Sequence, residues 1–125
     1  LNRQISEISF ASDSTHALHV PIFYKENKQY VNWWQTPQEE VKAWRFIKMV
    51  LESDVPKIGQ NCVQYDSYWL LKEMNIAVKN IKHDTMQLSH CLALELEKSL
   101  GFLGSIFLDE RSWKGIRTET NKQND

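Results

Sequence analysis

The chain has 125 residues, enough for one domain with a two-layer core and too few for two independent cores. Fifteen basic and sixteen acidic side chains leave a net charge of −1, which excludes a protein that holds nucleic acid by an overall positive field; any such contact must be local. No apolar run reaches membrane-spanning length, and Cys62 and Cys91 lack paired spacing, which suits reduced thiols in a cytoplasmic protein. The chain begins at Leu1 without a charged-then-apolar leader, as expected of a piece of a longer protein.

Ile5, Ile8 and Phe10 sit among polar residues up to Ser12, and Leu18, Val20 and Ile22 alternate with their neighbours. Two strands joined by a polar turn at Asp13-Ser14-Thr15 are expected, with His16 and His19 on opposite faces. Residues 24–35 are polar and aromatic, including Tyr30, Trp33 and Trp34, and read as a surface loop. These rings suit cover for the core edge better than a platform for bases.

Thr36-Pro37-Gln38-Glu39 is a capping box with proline at the first helical position, where the missing N–H costs nothing. The helix it starts carries one apolar stripe, Val41, Trp44, Ile47, Val50 and Leu51, and stops at Asp54-Val55-Pro56. Ile58 marks a strand, residues 68–74 a helix, and Val78-Lys79-Asn80-Ile81 a short edge strand. Asp84 caps a further helix whose apolar face includes Met86, Leu88, Leu92, Leu94 and Leu96. Residues 100–108 make the last helix, and residues 118–125 are a polar tail. A hairpin followed by alternating helices and short strands predicts an α/β or α+β sandwich, helices packed on a mixed sheet.

Gly59-Gln60-Asn61-Cys62-Val63-Gln64-Tyr65-Asp66, then His83-Asp84-Thr85-Met86, then residues 98–107 place an acid after each of two short strands, followed by a small-residue apolar helix. In this order they resemble the second and third sequence blocks of the 3′-5′ proofreading exonuclease domain of family A DNA polymerases, most closely those of bacteriophages. The resemblance runs from the hairpin to Lys114. It implies a ribonuclease H-like exonuclease fold whose first strand, carrying an Asp-x-Glu pair, lies ahead of this hairpin. It also implies two Mg²⁺ or Mn²⁺ ions, single-stranded DNA or a primer 3′ end as substrate, and a polymerase domain in the same parent chain.

Two-ion phosphodiester hydrolysis needs several carboxylates converging on the metals. By resemblance Asp66 is one of them, with Tyr65 before it as the family's aromatic, and Asn61 one residue further from Tyr65 than the family pattern has it. Read from composition alone, Asp66 caps a helix. The third-block acid has two candidate places: Gly115 stands at the expected one, after Asp109-Glu110-Arg111-Ser112-Trp113-Lys114, and Asp125 is the alternative. Asn61, Tyr65 and Lys98 are the expected nucleic-acid contacts, with Lys72 a weaker one. His83, His90 and Cys91 match no standard zinc spacing. Without the Asp-x-Glu pair the chain alone is expected to be inactive. A catalytically dead scaffold bracing a polymerase, or a stand-alone 3′-5′ ribonuclease, are the competing readings.

Overall fold

The computed structural model describes residues 5–108 and 110. The protein is α/β. Its elements run β1 (Glu7–Ala11), β2 (Ala17–Pro21), β3 (Phe23–Glu26), β4 (Gln29–Asn32), α1 (Pro37–Glu52), β5 (Lys57–Gly59), a π-helical turn (Cys62–Asp66), α2 (Ser67–Met74), β6 (Ile81–Asp84), α3 (Thr85–Leu92) and α4 (Leu100–Phe107). Among the described residues the strands make three two-stranded sheets, β1-β2, β3-β4 and β5-β6, where the sequence predicts one mixed sheet. Two pairs are antiparallel and β5-β6 is parallel. Among the described residues the chain divides into two compact units, one from the residues up to Pro56 and Gln64–Asn80, the other from Lys57–Val63 and the residues from Ile81 on.

The first unit holds the core. The predicted hairpin forms, pairing Ile8 with Val20 and Phe10 with Leu18, so apolar residues stack across the strands. Its turn is organised by Asp13, whose Oδ1 accepts from the Thr15 N–H at 2.7 Å and the His16 N–H at 2.9 Å. His16 lies in this turn rather than on a strand face, and His19 sits in β2 beside Ser9. Pro21, which has no N–H, ends β2, and the following Ile22 turns inward to be almost fully buried.

Residues 24–35, expected as a loop, instead contain most of a second hairpin. Asn27 and Lys28 both take positive φ, 48° and 64°, and form the two-residue connection between β3 and β4. Phe23 packs edge-on to Tyr30, and Tyr24 edge-on to Trp33.

Helix α1 starts at the predicted capping box: Thr36 Oγ1 accepts from the Glu39 N–H and Glu39 Oε2 from the Thr36 N–H. Of its apolar stripe, Ile47 and Leu51 are buried, Trp44 and Val50 half-buried, and Val41 exposed. Ile47 and Leu51 join Val20, Ile22, Phe23, Leu70 and Ile76 in the core cluster. Each side chain of this size contributes about 1.5–3 kcal/mol by leaving water. Helix α2 ends at Asn75 in the left-handed conformation, which directs Ile76 into that core.

The second unit contains β5-β6, α3 and α4. The short strand expected at Val78–Ile81 is displaced: pairing begins at Ile81 and runs to Asp84. Val78 instead packs against the first unit's core, and Asn80 takes a left-handed conformation that separates the two roles. Helix α3 ends at Leu92 rather than near Leu96, and Leu92 and Leu94 are well exposed. Helix α4 matches its predicted span and buries Gly101, Leu103 and Gly104.

Candidate functional site: the carboxyl ends of the parallel strands

The parallel pair β5-β6 ends at Gly59 and Asp84, which are register partners. Open α/β sheets place ligands at the carboxyl ends of parallel strands. Three segments meet there by hydrogen bonds, all within the second unit. Asp84 is 5% exposed, and its carboxylate accepts the Asn61 N–H at 2.8 Å, the Val63 N–H at 3.4 Å and the Met86 N–H at 3.0 Å. The bond to Met86 is the predicted helix cap of α3. The bonds to Asn61 and Val63 fasten the loop after β5, a second task the sequence does not disclose.

Burial alone would raise the Asp84 pKa; the N–H groups of Asn61, Val63, Met86 and Gln87 outweigh it, and the carboxyl is held below its usual value of 3.8. Asn61 itself has φ 54°, a left-handed conformation that asparagine tolerates better than most residues. Gly59 leaves room for the tight return: a Cβ there would lie 2.6 Å from Cys62 Sγ.

Gln60 ties the same loop to the other two segments. Its Nε2 donates to the Lys98 carbonyl oxygen at 2.8 Å, and its Oε1 accepts from the Thr85 hydroxyl, which also reaches the Gly59 carbonyl. Lys98, expected to meet phosphate, directs its ammonium to the Leu94 and Leu96 carbonyls at 2.8 and 3.0 Å. Gln60 and Thr85 carry no motif of their own beyond their places in the two blocks, so only the folded arrangement reveals them.

Tyr65 and Asp66 belong to the first unit. Asp66 closes the π-helical turn and continues into α2 with helical φ and ψ (−64°, −43°) and no side-chain capping bond. Asp66 thus stands at the N-terminus of α2, as the helix-start reading has it, without the side-chain capping bond; its carboxylate is exposed within a continuous helical run. π-helical turns concentrate at functional sites. Tyr65 is 59% exposed and packs edge-on to Trp69.

Among the described residues no group of three or more His, Cys, Asp or Glu could hold a metal ion, so they do not by themselves make a two-ion centre. His83, His90 and Cys91 are exposed and form no such group, and neither cysteine is in a disulfide. Glu110 is exposed; Asp109, Gly115 and Asp125 lie outside the described residues. No described helix is long and apolar enough to cross a membrane. No family model, curated protein or solved structure matches the chain.

Proposed function

We propose that this chain is the greater part of a 3′-5′ exonuclease domain of a phage-type DNA polymerase, with a ribonuclease H-like fold, removing mispaired nucleotides from a primer 3′ end. One observation carries the reading: the three segments that bear the resemblance are hydrogen-bonded to one another at the carboxyl ends of β5 and β6, through Asp84, Gln60 and Thr85. Satisfied polar bonds between distant segments rigidify the backbone they join.

In this reading Asp66 is a metal ligand and Tyr65 stands beside it to contact the nucleic acid. Two Mg²⁺ or Mn²⁺ ions would activate water and stabilise the leaving oxygen. The remaining carboxylates come from outside the described residues: an Asp-x-Glu pair ahead of β1, and Asp125 as the candidate third-block acid. Asp84 is a positioning residue for the loop, and Asn61 contributes backbone geometry before any side-chain contact.

The test is digestion of 5′-labelled single-stranded DNA and of a mispaired primer-template. It uses the chain extended upstream by about 20 residues, enough for a strand and its turn. A ladder shortening from the 3′ end, dependent on Mg²⁺ or Mn²⁺ and faster at the mispair, supports the proposal. A well-folded extended protein that leaves DNA and RNA intact would leave the non-catalytic scaffold. The exposed apolar side chains of α3 and α4, Leu92, Ile106 and Phe107 among them, are the feature that favours that second reading.

A further inference from the structure

Helix α2 and the turn before it present Tyr65, Tyr68, Trp69 and Lys72 at intervals of three and four residues, which places them on one helical face. This face is not the core face: Leu70 is the residue α2 buries, whereas Tyr65 and Tyr68 are 59% and 54% exposed and Trp69 is half-buried. The rings nevertheless form a connected set. Trp69 lies edge-on to Tyr68 at 5.4 Å and to Tyr65 at 6.4 Å between centroids. The Lys72 ammonium sits 4.8 Å from the Trp69 centroid and 5.6 Å from that of Tyr68.

We infer that this face is a binding platform for single-stranded nucleic acid, on which a base stacks against the exposed ring of Tyr68 while Lys72, held over Tyr68 and the half-buried Trp69, meets a phosphate. Every base has a π-face, so such stacking is independent of sequence. A cation already held against the rings is pre-placed to neutralise a backbone charge beside a stacked base. The contact is local, as a chain with a net charge of −1 requires. The choice of nucleic acid as ligand rests on the exonuclease reading above. The platform deepens it by supplying substrate contacts that neither metal nor hydrolysis needs.

The experiment titrates the full chain into a fluorescein-labelled dT12 oligonucleotide in EDTA and follows anisotropy at several salt concentrations. Saturable binding is expected, weakened about tenfold in Tyr68→Ala with the salt dependence unchanged. Lys72→Ala should weaken binding and lower the slope of log K against log salt by about 0.7. Circular dichroism melting curves matching wild type keep both results interpretable, since both side chains are exposed. Absence of wild-type binding, wild-type affinity in both variants, or displacement of the oligonucleotide by a proline-rich peptide overturns the platform. Digestion by the upstream-extended protein in Mg²⁺ reads the exonuclease separately. Binding in EDTA that is lost in the variants, with no digestion, supports the platform and overturns the nuclease; digestion with unaltered binding in the variants does the reverse.

Discussion

Asp84 is the residue on which the arrangement at the strand ends depends. Replacing it by asparagine removes the charge and turns an N–H group toward a backbone donor, leaving a buried hydrogen bond unmade. Asp84→Asn should therefore lower stability by about 1–3 kcal/mol, measured by urea denaturation at neutral pH. The sign of its pH dependence follows from the depressed pKa. The contribution is fully present above the unfolded value near 3.8 and is lost as pH falls through the lower folded value. Wild type should lose stability across that acidic range more steeply than Asp84→Asn; equal slopes would assign the bonds no energetic role. Gly59→Ala tests the same loop sterically. Its new methyl must displace Cys62, at a cost of about 1–3 kcal/mol in the same assay. The capping role of Asp84 is legible in the sequence because a cap is local. Its bonds to Asn61 and Val63 are not, because they join residues more than twenty positions apart and need the parallel pairing first.

Elements with local signals were readable, and those defined by partners were not. The start of α1 follows from Thr36, Pro37 and Glu39 alone, and Thr36→Ala should cost about 1 kcal/mol in thermal or urea unfolding. The β3-β4 hairpin escapes notice because its turn is Asn27-Lys28 rather than Asn-Gly, and its flanking aromatics do not alternate cleanly with polar residues. With both turn residues at positive φ, Lys28→Gly should stabilise the protein by about 1 kcal/mol, relieving a conformation that lysine disfavours. A destabilised variant would contradict the turn assignment. The displacement of β6 has a similar origin: Val78 and Ile81 are both apolar, and only packing decides that the first joins a core and the second a strand. At the site, the sequence marks Asp66 locally as an acid after a short strand, and its metal role comes from the resemblance alone. Its place in a π-helical turn running into α2 could not be read from the sequence, which offers a helix cap as the simpler alternative.

At the scale of the molecule, the α/β class was legible from the order of elements. The division of the strands into three pairs was not, since strand pairing is a property of distant segments. Among the described residues most of the buried apolar side chains lie in the first unit, with Ile47 fully enclosed. Ile47→Ala should cost about 2–5 kcal/mol by urea unfolding, more than any surface change discussed above. The exonuclease proposal also belongs to the scale of the whole protein, because it needs carboxylates besides Asp66 that the described residues do not supply. The most direct measurement is single-turnover 3′-end digestion by the upstream-extended protein in Mg²⁺, comparing wild type with Asp66→Ala at matched folded fraction. The exonuclease account predicts a fall of at least about 100-fold, beyond what loss of a supporting group around a metal costs. Digestion at the wild-type rate by Asp66→Ala would contradict it.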